Sequence, residues 1–151
     1  MSNTRDIVLQ RLIELEIEYW HDVDFNWGRN ATDSYVEDGT FAIGDHKMQG
    51  CGAIAEFYRW REERGERTAR HLVTNFRLGN MDGHFASIQC ILLLYAADGS
   101  PVLPSKAPIM VADIHNECIF CPDDRWRFQS HMLTPIFMGD EPPTIPVNEL
   151  K

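Results

Sequence analysis

An α+β architecture is what this sequence predicts, with one curved sheet laid over N-terminal helices. Two observations carry that expectation. Apolar residues recur at helical spacing only in the first 65 residues, and everything after Gly65 alternates in long strand-like runs parted by Gly, Pro and Asp clusters. Helices segregated from strands pack as a sheet with helices on one side of it. With 151 residues, the chain has the length of a single domain that buries ~70% of its unfolded surface.

The elements follow in order. Thr4 to about Asp22 reads as a helix, with Thr4 as cap and Val8, Leu12, Leu15 and Tyr19 on one face; Ile13, Ile17 and Trp20 widen that face. A second helix is expected over Trp27 to Val36. Asp38-Gly39 marks a turn, and Phe41 to Met48 forms a short hairpin bending at Gly44-Asp45. Cys51 to Arg64 is the next helix, with Ile54, Phe57, Tyr58 and Arg61 near one face and Gly65 as its stop. The strands are His71 to Leu78, Phe85 to Tyr95, Ile109 to Phe120 and Trp126 to Met138. Pro135 falls late in the last of them, where an edge or a bulge tolerates it. Strands this long twist and curl, and a sheet curling over helices makes a cone whose mouth is a natural ligand pocket. Residues 1–140 are expected to form this domain, and 141–151, with Pro142, Pro143 and Pro146, an irregular tail.

Composition narrows the partners. Apolar residues at 44% and charged residues at 25% are ordinary globular values, which excludes a disordered chain. A net charge of -9 makes nucleic acid and anionic membranes poor partners. The longest apolar run, Cys90 to Ala97, falls far short of the ~20 residues a bilayer span needs. The start Met1 to Asp6 lacks a signal peptide's basic end and apolar run, so a cytoplasmic location with Cys51, Cys90, Cys118 and Cys121 as free thiols is expected.

Several segments resemble a known family. Glu18-Tyr19-Trp20-His21-Asp22-Val23-Asp24, followed by Tyr35-Val36-Glu37-Asp38-Gly39-Thr40-Phe41, resembles the opening of the nuclear transport factor 2-like superfamily, in particular its SnoaL-like branch of polyketide cyclases and scytalone dehydratase. Gly50 to Tyr58 resembles that branch's third helix, Arg70-His71-Leu72-Val73-Thr74-Asn75 its Arg-His-apolar-x-x-Asn strand, and Arg125-Trp126-Arg127-Phe128 its last strand. The resemblance implies a cystatin-like α+β barrel in which Asp24 and His71 both point into the cone.

Asp24 and His71 are therefore the catalytic candidates. A carboxylate on one imidazole nitrogen fixes the tautomer and raises the basicity of the other, which suits proton abstraction beside a carbonyl or protonation of a leaving hydroxyl. Asn75, four residues on, would share His71's face in a regular strand and orient a ligand carbonyl; His115, beside Asp113, is a further polar candidate. Trp20, Tyr35, Phe41, Phe57, Trp60 and Phe128 are candidates for lining an apolar pocket, and among the other histidines only His131 is placed to join it.

Two departures from the dehydratase pattern stand out. The tyrosine before the aspartate is Val23 here, and the second histidine falls near Leu94 or Tyr95. His115-x-x-Cys118-x-x-Cys121 does not make a metal site, because alternate strand residues face opposite ways.

The expectation is a cofactor-independent dehydratase-like lyase, an isomerase or a cyclase acting on a small aromatic or polyketide-like molecule. The alternatives are a non-catalytic subunit resembling the ring-hydroxylating dioxygenase beta subunit, or a ligand-binding module. Consecutive apolar residues Ile91 to Leu94 leave both faces of a strand apolar, so a homodimer or homotrimer is expected.

Overall fold

The computed structural model describes residues 4–141, so the expected tail lies almost wholly outside the described residues. Two helices, α1 (Thr4–Asn26) and α2 (Gly50–Glu63), lie against a six-stranded mixed sheet. Its strands are β1 (Tyr35–Ile43), β2 (His46–Gln49), β3 (Arg67–Asp82), β4 (Phe85–Asp98), β5 (Met110–Phe120) and β6 (Trp126–Met138), in the spatial order β2-β1-β6-β5-β4-β3. Only β1 and β6 run parallel. The sheet is curved but not closed, as an α+β fold of this kind requires.

Alternation decides which face meets the helices. Ile88, Cys90, Leu92 and Leu94 of β4 are buried, as are Met110, Ala112, Ile114 and Cys118 of β5 and Phe128 and Leu133 of β6. They pack against Leu12, Tyr19, Trp20 and Val23 of α1 and Ile54, Phe57 and Tyr58 of α2. Ile17, expected on the buried face of α1, is exposed; Glu16 takes a core position instead.

The expected second helix does not form. α1 runs on to Asn26 and ends where Trp27 and Gly28 both take positive φ. The Gly28 N–H donates to the Asp22 carbonyl at 3.1 Å, and the Asn30 N–H to Asp22 Oδ2 at 3.0 Å. That capped reversal leaves only a 3-10 turn, Ala31–Ser34, before β1 begins at Tyr35. Gly28 is needed here for two reasons: its φ of 71°, and a Cβ that would sit 2.6 Å from the Tyr58 ring.

Two of the strand irregularities involve Asn75 and Pro135. β3 carries an extra residue relative to β4 between Thr74 and Arg77, with Asn75 at φ 58°. β6 carries one between Pro135 and Phe137, beyond its pairing with β1, which ends at Leu133. Pro135 is thus accommodated at a bulge.

All four cysteines are free thiols. Among the described residues no helix is long and apolar enough to cross a membrane.

Candidate active site

The C-terminal half of α1 aims Glu16, Trp20 and Asp24 at the sheet, spaced i, i+4, i+8 along one side of the helix. Asp24 meets the edge strand β3, where its two oxygens are spent on one residue. Oδ2 accepts the His71 backbone N–H at 2.8 Å, a donor with no partner strand beyond it, and Oδ1 lies 2.6 Å from His71 Nδ1. Both side chains are nearly sealed, at 5% and 6% exposure. Trp20 stacks flat on the imidazole, with centroids 4.2 Å apart and planes 10° apart. Burial holds the His71 pKa below its ordinary value, against the opposing pull of Asp24. The neutral ring donates Nδ1–H to Asp24 and keeps the lone pair on Nε2. That nitrogen has no protein partner among the described residues.

His71 and Trp20 line a cavity of about 30 Å³ together with Phe41, Phe57, Tyr58, Arg61 and Arg67. Asp24 does not line it, so Nδ1 faces the carboxylate while the ring borders the cavity. The space is small beside the ~300–1,000 Å³ of ordinary ligand pockets. Aromatic rings fill the rest of the cone: Tyr19 meets Tyr35, Phe41, Tyr58 and Phe128 edge-on at centroid distances of 5.6–6.2 Å.

Behind those rings lies a second histidine–carboxylate pair. His131 Nε2 is 2.9 Å from Glu16 Oε1, and both residues are 0% exposed. The Tyr35 hydroxyl is 2.8 Å from His131 Nδ1. Glu16 also accepts from Trp20 Nε1 at 3.1 Å and from Asn116 Nδ2 at 3.2 Å. Phe128 stacks on His131 with centroids 4.2 Å apart. The hydroxyls of Tyr19 and Tyr58 bond each other, and burial raises the pKa values of Tyr19, Tyr35 and Tyr58 well above that of free tyrosine. Trp20 joins the two pairs, with its N–H on Glu16 and its face on His71.

The other candidates divide into four groups. Phe41 and Phe57 line the cavity with Trp20, while Tyr35 and Phe128 lie beneath it around His131. Trp60 packs over Phe57 and under the Arg64 guanidinium, outside the cavity lining. Asn75 and His115 are corrections. The bulge after Thr74 breaks the alternation that would have put Asn75 beside His71, so it is exposed and accepts from the Thr74 hydroxyl. His115 is exposed on the sheet's outer face, opposite Gln89 and Met132. Among the described residues no three His, Cys, Asp or Glu converge to hold a metal; His115 and Cys118 face opposite ways.

Sequence reasoning missed Glu16, Arg61 and Arg67. Glu16 and Arg61 had a signal, since each is a charged residue inside an apolar helical stripe. Arg67 had none.

No family model and no curated protein matches the chain. Solved structures do. A candidate scytalone dehydratase from Novosphingobium aromaticivorans superposes with a TM-score of 0.80 at 14% identity, covering 95% of this chain and 93% of its own. The beta subunit of a candidate aromatic-ring-hydroxylating dioxygenase from the same organism gives 0.78 at 9% identity, covering 91% and 94%. A protein of unknown function with a cystatin-like fold from Nostoc punctiforme gives 0.71 at 12%, covering 96% and 97%. The chain has the nuclear transport factor 2-like, cystatin-like fold. Identities this low show the fold alone, and the fold carries enzymes and non-catalytic subunits alike.

Proposed function

We propose that this protein is a cofactor-independent lyase of the dehydratase type, or an isomerase or cyclase, acting on a small carbonyl compound of aromatic or polyketide-like character. The observation that carries the reading is the His71 imidazole, fixed by Asp24 at 2.6 Å through Nδ1 and left with Nε2 free beside a cavity. Neutral His71 takes a proton from the carbon next to the substrate carbonyl. Asp24 stabilises the imidazolium that forms. The same nitrogen then returns the proton, to a departing hydroxyl in a dehydration or to another carbon in an isomerisation. The test is a panel of β-hydroxy carbonyl compounds followed for loss of water, with His71→Ala as control. Turnover that vanishes in the variant supports the reading.

The small cavity favours a second reading, a non-catalytic subunit or binding module. If the panel shows no turnover and Asp24→Asn leaves ligand binding unchanged, that reading stands.

The chain is further proposed to work as a homodimer through the outer sheet face. Registered neighbours Leu72, Leu93, Val111 and Phe137 form an apolar row across four strands there, with Leu72 and Phe137 exposed. Sedimentation at micromolar concentration giving a 17.4 kDa species would refute it.

A further inference from the structure

We infer that the cavity beside His71 binds the carboxylate group of its ligand, through Arg61 and Arg67. The inference rests on reading this cavity as the ligand site, and adds the charge class of what enters it. Arg61 stands in the last turn of α2, and Arg67 opens β3 on the other side of the short connection at Gly65. Both line the cavity, and among the described residues no Asp or Glu does.

The absence of an acid is unexpected in this chain. It has 23 acidic residues against 14 basic ones, so an arginine without a carboxylate partner is not for want of them. Arg29 is paired with Glu62 at 2.8 Å and Arg127 with Asp123 at 2.7 Å, and the arginines without an ion pair among the described residues, such as Arg59, Arg64, Arg70 and Arg77, are exposed, whereas Arg61 is half-buried. Arg61 makes no ion pair among the described residues; its guanidinium lies 5.7 Å from the Tyr58 ring centroid. Asp24, an acid whose charge reaches it, is already committed to both N–H groups of His71. Arg67 has a one-point contact, Nη1 to the largely exposed Asp98 at 3.0 Å, and its Nε is buried with no partner among the described residues. Two cations thus line one cavity, one unpaired and the other with an orphaned donor.

A buried donor without an acceptor is costly, and two like charges in one pocket repel. An incoming carboxylate relieves both. Guanidinium groups suit it because their forked donors match its two oxygens. Size agrees: about 30 Å³ holds roughly two water-sized groups, which is the room a carboxylate needs and far less than a ring needs. The carboxylate therefore occupies the cavity, and the rest of the molecule lies outside it.

The experiment compares charged and neutral isosteres by calorimetry and thermal shift at low salt. Benzoate and acetate are the anionic probes, and benzamide and acetamide the neutral ones. The carboxylates should bind and stabilise the protein, while the amides bind at least tenfold more weakly. Arg61→Gln should weaken benzoate by about 10- to 100-fold, Arg61→Lys by less, and Arg67→Gln by about tenfold. Binding is read without any turnover, so a failure of the catalytic reading leaves this one intact. Equal binding of benzoate and benzamide to the wild-type protein overturns the inference, and so does benzoate binding that a folded Arg61→Gln or Arg67→Gln variant retains in full. The wild-type comparison decides the matter even if the arginine variants do not fold.

Discussion

The two histidine–carboxylate pairs differ in what their second imidazole nitrogen meets. Both are built on α1, from Glu16 and Asp24, about 12 Å apart along the helix axis, with Trp20 between them. In the Glu16–His131 pair Nδ1 and Nε2 are both bonded, the ring is sandwiched among aromatics, and nothing is exposed. In the Asp24–His71 pair one nitrogen is bonded, the other has no protein partner among the described residues, and the ring lines a cavity. The same chemical couple is a structural knot where its hydrogen-bonding capacity is used up and a candidate catalyst where one lone pair is left over.

That contrast predicts opposite responses to deletion. His71→Ala should cut turnover of a true substrate by about a hundred- to ten-thousand-fold while the protein stays folded. Asp24→Asn should cost less if Asp24 only orients the ring, and more if it takes the proton itself. Circular dichroism alongside the kinetics checks both halves, and a His71→Ala variant that unfolds would make this pair structural too.

Glu16→Ala should do the reverse. It strands three donors, on His131, Trp20 and Asn116, in a site without water access. Breaking such a buried pair typically costs roughly 3–5 kcal/mol. Urea unfolding reads the loss directly, and a change below about 1 kcal/mol would show that the pair is not what holds α1 to β6.

Legibility in the sequence follows the same division. Asp24 and His71 could be named because they sit in short local patterns whose meaning does not depend on the other strands. The α+β fold was legible because helical spacing ends near Gly65 and long apolar-rich runs parted by Gly, Pro and Asp clusters follow it. The Glu16–His131 knot was harder to see: its members are 115 residues apart and meet only through the parallel β1–β6 pairing. A glutamate at i+4 from Leu12 and i-4 from Trp20 was the available warning. Asn75 misled for a physical reason, since one bulged residue flips every later side chain to the opposite face. The helix expected over Trp27 to Val36 failed because Trp27 and Gly28 turn left-handed, a conformation that periodicity cannot register.

Trp20→Phe tests whether the pairs are coupled. It keeps an aromatic face for His71 and deletes the N–H that Glu16 accepts. Glu16 retains His131 and Asn116, so the expected loss is modest, about 1–3 kcal/mol from the missing bond and the smaller ring. Turnover should fall less than tenfold. A drop as deep as that of His71→Ala would mean that the indole transmits the state of one pair to the other.

The smallest expected effect is on pH dependence, and its sign separates the pairs again. Burial depresses the His71 pKa in the folded protein, so between that value and the ordinary ~6.5 the unfolded chain binds the extra proton and the folded one does not. This contribution to stability is therefore complete above about pH 6.5 and is lost as pH falls toward and below the folded value. The base form of His71 is also the active form. The rising limb of kcat/KM should consequently lie below the pH expected for a free imidazole, and it should vanish in His71→Ala. Stability measured by urea unfolding from pH 7.5 down to 5 should decline in the wild-type protein, and less steeply in His71→Ala. A rising kcat/KM limb at or above pH 6.5 would mean that the Asp24 carboxylate outweighs burial, whereas activity that falls as His71 loses its proton would mean that His71 starts the reaction as an acid.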